Sequence, residues 1–259
     1  MKCHSYVEVV TLRASLFITC LIDNLYPQVA ESMVKILDRY GVRIDVPMTQ
    51  TCCGQPAYNS GYVDEARTVG ATLLDAFEDA EYVITGSGSC AGMIHHDYPF
   101  LFQSDERLAA RAEKLKAKTY EFSQFLVNVL GVRDVGARFP HRVTYHPSCH
   151  GARLLGIKNE PETLLSRVKE IDLVELPYAS DCCGFGGTFA VKMAEISAAM
   201  VTEKTAHIHE TNASFLVGTD MGCLMNIDGR LKREGSTVQV KHLAELLYEG
   251  ILLEEGASR

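Results

Sequence analysis

Eight of the nine cysteines in this chain of 259 residues fall into two copies of one pattern. In the first half Cys20 is followed by 31 residues, then Cys52-Cys53-Gly54, then 35 residues, then Cys90. In the second half Cys149 is followed by 32 residues, then Cys182-Cys183-Gly184, then 38 residues, then Cys223. At this cysteine content roughly 0.3 adjacent pairs are expected by chance, and two are present, each followed by Gly. A duplicated unit of this size calls for two similar lobes.

The flanking residues agree with a duplication. Residues 15–20 and 142–149 read as short strands that end in a cysteine loop. An amphipathic helix is expected over 27–40, stopped by Gly41, with a counterpart over 161–169. Strands at 42–46 and 173–176 run into the Cys-Cys-Gly turns, and helical patterns follow at 63–80 and 189–209. Strands at 82–85 and 215–218 lead to the last cysteines, and strand-like entries into helices close each half at 120–130 and 238–247. This alternation predicts an α/β fold: two repeated lobes, pseudo-two-fold related, with parallel-type sheets flanked by helices. The expected division is an extension over 1–13 and lobes over 14–138 and 139–259. Cys3 and His4 lie in the extension, have no counterpart in the repeat, and are assigned no function. Each repeat cysteine falls after a strand, where the loops of parallel sheets carry ligands.

With 25 Lys+Arg against 33 Asp+Glu, the formal charge is −8. That sign opposes non-specific binding to nucleic acid or to an anionic membrane. The longest apolar stretch, 14–22, is interrupted by Thr19 and Cys20 and falls short of the roughly 20 residues of a membrane span. Its lead-in mixes Lys2, Glu8 and Arg13, and no small-residue cleavage site follows, so a secretory signal is not expected. The expected compartment is the cytoplasm, where an odd number of thiols is a poor disulfide framework and points to a metal or a redox task.

Four thiolates brought together in each half suit a soft metal or an iron–sulfur cluster. Zinc sites usually use cysteines two to four residues apart and ferredoxins use tight Cys-x-x-Cys runs, and neither spacing occurs here. A four-thiolate cluster carries net negative charge and needs backbone N–H groups turned toward it, which glycines permit. Gly54, Gly184, Gly186 and Gly187 are therefore candidate cofactor-binding residues, with further glycines around Cys90 and Cys223. Other readings of the same residues are buried structural cysteines, vicinal disulfides, a structural zinc, or a phosphate cradle at 184–187. The cradle lacks the lysine and spacing of a P-loop. His146 and His150 flank Cys149, and His95 and His96 follow Cys90. Each can supply an extra ligand or a proton, although solvation or one hydrogen bond is the more usual fate. Asp181 and Asp220 are read as solvated loop carboxylates. No nucleophile–base pair, zinc-protease helix or dinucleotide fingerprint stands out.

The repeated pattern resembles the cysteine-rich CCG domain found in heterodisulfide reductase and in the iron–sulfur subunit of glycolate oxidase. The segments Cys52-Cys53-Gly54-Gln55-Pro56-Ala57, Cys182-Cys183-Gly184-Phe185-Gly186-Gly187, Cys20-Leu21-Ile22-Asp23 and Gly222-Cys223-Leu224-Met225-Asn226 are more closely similar to the lactate utilization protein A family. The likeness spans nearly all of residues 15–250 and implies two CCG domains. It further implies an iron–sulfur electron-transfer subunit of a cytoplasmic complex that oxidises L-lactate to pyruvate. One or two clusters, of the 4Fe–4S type, would be held by Cys20, Cys52, Cys53, Cys90, Cys149, Cys182, Cys183 and Cys223. The implied partners are the other subunits of the lactate utilization complex, a second iron–sulfur protein and a third subunit. The alternatives are a zinc-stabilised scaffold subunit and a thiol/disulfide reductase acting through the Cys-Cys pairs. One departure is visible: the full domain pattern has a fifth thiol where this chain has Met93 and Asn226.

Overall fold

The computed structural model describes residues 12–157 and 159–257; Cys3 and His4 lie outside the described residues. In the first lobe β1 (Arg13–Phe17), β2 (Arg43–Asp45), β3 (Val83–Thr85) and β4 (Thr119–Glu121) form one parallel sheet in the order β2-β1-β3-β4. In the second, β5 (Arg142–His146), β6 (Asp172–Val174), β7 (Phe215–Gly218) and β8 (Gln239–His242) repeat that order as β6-β5-β7-β8. The register repeats as well: Ser15 pairs with Asp45 and Val83, and Thr144 with Val174 and Leu216. The central strands are buried along almost their whole length, as apolar strands covered by helices on both faces must be. The chain reverses its winding beside β1 and β3, and again beside β5 and β7. A crevice therefore opens at the carboxyl ends of those strands.

Helix Pro27–Arg39 forms where its apolar spacing places it, burying Val29, Met33, Ile36 and Leu37, with proline at its start. Elsewhere the helices depart from the sequence pattern. The counterpart expected over 161–169 is only Glu160–Leu165, because the Lys169 N–H leaves the helix to meet the Ala137 carbonyl. The stretch 189–209 is two helices, Phe189–Lys192 and Ala194–Glu210, broken at Met193. The break brings the second helix back onto the Cys-Cys-Gly turn, where the Ser197 hydroxyl donates to the Gly184 carbonyl. Helix Met221–Arg233 alone spans the β7–β8 crossover. The β3–β4 crossover is interrupted: Gly88–Gly92 runs into a π-helical turn at Met93–Asp97 and then Tyr98–Leu101. A separate helix, Glu106–Lys118, follows, capped by the Asp105 carboxylate.

The lobes share one apolar core, in which Leu16 and Met33 of the first join Val143 and Leu247 of the second. Residues 135–141, which join them, are built into it, with Phe139 buried edge-on against Phe215. The pseudo-two-fold passes between Ser87 and Asp220, the equivalent residues before the last cysteine of each half, which form an antiparallel bridge. Among the described residues no helix is long and apolar enough to cross a membrane.

Candidate metal centres

Each outer cysteine sits in the first turn of a helix. Cys20 opens Cys20–Leu25 directly after β1, and Cys149 opens Cys149–Arg153, where the Ser148 hydroxyl caps the Gly151 N–H. Cys90 lies in Gly88–Gly92, its own N–H held by the Ser87 hydroxyl. Cys223 lies in the first turn of Met221–Arg233, capped through the Gly222 N–H by Asp220. A helix N-terminus carries partial positive charge and favours thiolate over thiol. The cysteine pairs occupy sharp turns after β2 and β6, which Gly54 (φ +86) and Gly184 (φ +79) close in the left-handed conformation. The Gly54 N–H then points at Cys52 Sγ, 3.5 Å away, and the Gly184 N–H at Cys182 Sγ, 3.4 Å away. A Cβ at Gly184 would stand 2.7 Å from the Ser197 carbonyl oxygen, and one at Gly54 would stand 3.2 Å from that of Ala66. Only glycine fits both the dihedral angle and the space.

These elements bring the predicted ligands together in two sets of four. Cys53 Sγ lies 3.4 Å from Cys90 Sγ, and Cys52 accepts from both Cys20 and Cys53. The same chain of contacts runs from Cys149 through Cys182 and Cys183 to Cys223. Hydrogen bonds from Cys20 and Cys53 draw the Cys52 thiol down to about 3, and the Cys20 and Cys53 thiols are held up by sharing with it. Cys182 is lowered in the same way by Cys149 and Cys183. A metal bound by either set would displace the remaining thiol protons. All eight thiols are free. Two quartets of sulfur without a carboxylate suit zinc or an iron–sulfur cluster rather than magnesium or calcium.

A cavity of about 100 Å³ opens beside Cys20, Cys52, Cys53 and Cys90, and the second lobe closes it with Phe185, Gly187 and Met221. Gly187 therefore faces the first-lobe centre, while Gly186 packs on Phe189. The segments that follow the two Cys-Cys-Gly turns are tied by a 2.6 Å hydrogen bond between the Ser60 and Thr188 hydroxyls.

The position of the missing fifth thiol is used differently in each lobe. Met93 is buried in apolar core, and the Asn226 amide donates to the Cys183 carbonyl at 2.8 Å. In the first lobe the Tyr98 hydroxyl donates to the matching carbonyl of Cys53 at 3.0 Å.

Asp181 is exposed, whereas Asp220 is not the solvated carboxylate its loop position suggests. It is 3% exposed and accepts from the Ser89 N–H (2.7 Å), the Ser87 hydroxyl (3.2 Å) and the Gly222 N–H (3.0 Å), because the pseudo-two-fold presses it against the first lobe. His95 and His96 donate to the carbonyls of Thr119 and Leu154, and His150 Nδ1 lies 3.4 Å from Cys149 Sγ. His146 is buried with neither ring nitrogen partnered among the described residues, and one ring nitrogen lies within 4.8 Å of the Cys183 and Cys223 sulfurs.

Three buried ionisable residues carry no signature in the cysteine repeat. Lys204 is 1% exposed beside the second quartet, donating to the carbonyls of Tyr178 and Ala179. It follows Ser197 by seven residues as Leu73 follows Ala66, so a charge in an otherwise apolar repeat position was the available signal. Glu121 and His242 end β4 and β8 at equivalent positions. Burial holds Glu121 up at about 7 and His242 down at about 4. His242 donates from Nε2 to the Gly86 carbonyl and accepts at Nδ1 from the Ala244 N–H, which fixes its neutral tautomer.

The cysteine-rich CCG domain model matches residues 14–95 and 143–228. The chain is 52% identical over 240 residues to lactate utilization protein A 2 of Bacillus cereus, covering 93% of this chain and 99% of that protein. It is 54% identical over 236 residues to lactate utilization protein A of Geobacillus kaustophilus, covering 91% and 98%. Among solved structures, a hypothetical protein from Helicobacter pylori superimposes with a TM-score of 0.61 at 11% identity. That match covers 95% of this chain but 51% of the other, and it is a likeness of fold alone.

Proposed function

Because this chain belongs to the lactate utilization protein A family and carries two CCG cysteine-rich domains, we propose that it is the iron–sulfur electron-transfer subunit of a cytoplasmic complex oxidising L-lactate to pyruvate. The observation that carries this reading is the convergence of four thiols at the strand ends of each lobe, with a glycine N–H directed at one of them. Cys20, Cys52, Cys53 and Cys90 would hold one 4Fe–4S cluster, and Cys149, Cys182, Cys183 and Cys223 a second. A bound cluster supplies one-electron chemistry. The chain's own groups bind it and balance its charge: the helix N-termini beneath the outer cysteines, and the N–H groups of Gly54 and Gly184. Oxidation of lactate releases two electrons and two protons, and we assign this chain the passage of the electrons. Its partners are a second iron–sulfur protein and a third subunit of the same system.

One observation favours a second reading, a zinc-stabilised scaffold. The 3.4 Å between Cys53 and Cys90 is close to the edge of about 3.8 Å in a tetrahedral thiolate site with Zn–S near 2.3 Å. Anaerobic purification of the chain with its partner subunits separates the two. Visible iron–sulfur absorbance that bleaches on addition of L-lactate, with pyruvate formed, is the expected result. Zinc without iron, or an iron-loaded complex that L-lactate leaves unbleached, would contradict electron transfer from lactate.

A further inference from the structure

The imidazole of His146 ends β5 and is 1% exposed, and neither Nδ1 nor Nε2 has a hydrogen-bond partner among the described residues. Buried polar atoms are almost always partnered, so a ring held this way calls for a ligand that accepts its lone pair. Two sulfurs stand close to it. One His146 nitrogen, Cys183 Sγ and Cys223 Sγ all lie within 4.8 Å of one another. A donor at this distance from two of the sulfurs is within reach of a metal centre that they hold.

Among the described residues the first lobe offers no such group at the equivalent position. The strand register sets Phe17 where the second lobe has His146, beside Thr85 and Gly218 respectively. Phe17 packs edge-on against Phe77 at 5.7 Å between ring centres. At the position of the missing thiol, Asn226 uses its amide N–H on the Cys183 carbonyl.

We propose that His146 supplies a nitrogen ligand to the metal centre of the second lobe in place of one of its four thiolates, so that the chain holds one all-thiolate centre and one mixed sulfur–nitrogen centre. This rests on the reading that the cysteine quartets bind iron–sulfur clusters. A neutral nitrogen donor, with the buried cation of Lys204 nearby, favours the reduced form of the second centre, as histidine ligation does in Rieske centres. Electrons entering the chain then collect in the second lobe.

The test is pulsed EPR on the reduced, anaerobically purified chain, grown with natural or 15N-labelled histidine. A Cys52→Ser, Cys53→Ser background confines the iron to the second lobe. A nitrogen hyperfine coupling that changes with the isotope is expected. It should vanish in His146→Phe, which copies the first lobe, and in His146→Cys, which keeps the iron with a thiol in place of the ring. It should survive His150→Phe. A second lobe that is iron-loaded without nitrogen coupling would overturn the proposal and leave the cluster assignment standing, as would a coupling that persists in both His146 variants. A chain without iron or sulfide would overturn the cluster assignment itself and this proposal with it.

Discussion

The first lobe packs Cys52, Cys53 and Cys90 in one apolar cluster with Phe17, Leu73, Phe77, Tyr98 and Phe102, whereas the second places His146 and Lys204 where the first has Phe17 and Leu73. Strand order, register, helix N-termini and glycine turns are otherwise the same. The backbone of each lobe delivers four sulfurs to one point, and the side chains behind them decide the charge and donors that a metal would meet. Duplication conserves the means of gathering the ligands and leaves their surroundings free to diverge.

The largest difference between equivalent residues is expected at the seam. Asp220→Ala removes acceptors from two backbone N–H groups and the Ser87 hydroxyl, and should destabilise the metal-free chain by about 4 kcal/mol. Ser87→Ala removes the hydroxyl that caps Cys90 and the weakest of the three donors to Asp220, and should cost about 1 kcal/mol. Equal losses in urea unfolding would show that the seam does not depend on the carboxylate.

Glu121 and His242 should bend the stability profile in opposite directions. Glu121 has its pKa raised from 4.5 to about 7 by burial, so its contribution is complete below pH 4.5 and is lost as pH rises through about 7. His242 has its pKa lowered from 6.5 to about 4 by burial, so its contribution is complete above pH 6.5 and is lost as pH falls through about 4. Each arm is worth about 3 kcal/mol at most. Glu121→Gln should flatten the first arm and His242→Asn the second, as read from unfolding midpoints between pH 4 and 8. A variant that flattens the wrong arm would break the assignment.

A smaller contrast is expected between the turns. Gly184→Ala meets both a left-handed dihedral and the Ser197 carbonyl at 2.7 Å, and should cost about 3 kcal/mol. Gly54→Ala, with its nearest contact at 3.2 Å, should cost about 2 kcal/mol. The smallest effect belongs to Lys192, whose ammonium lies 5.6 Å from the Tyr62 ring across the lobes. Lys192→Ala should cost about 0.5 kcal/mol.

The duplicated architecture was legible because eight cysteines and two glycine turns keep their spacing, and because the strands and helix Pro27–Arg39 have apolar periodicities that local physics rewards. Helix Glu106–Lys118 has its own signals, the Asp105 cap and the apolar face of Leu108, Ala112 and Leu115. It stands outside the repeat, so the symmetry of the chain does not reveal it. The break at Met193 carries no proline or glycine and follows from the packing of Ser197 on Gly184. Burial of Asp220 depends on docking residues 131 and 133 positions apart, which no local pattern encodes. The isolation of His146 is likewise a property of its neighbours in space.

The most direct test counts iron, acid-labile sulfide and zinc per chain after anaerobic purification. It compares the wild type, a Cys52→Ser, Cys53→Ser variant and a Cys182→Ser, Cys183→Ser variant. About eight iron and eight sulfide are expected in the wild type, with each variant losing half of both. Zinc without iron, or iron unchanged in either variant, would contradict a separate iron–sulfur centre in each lobe.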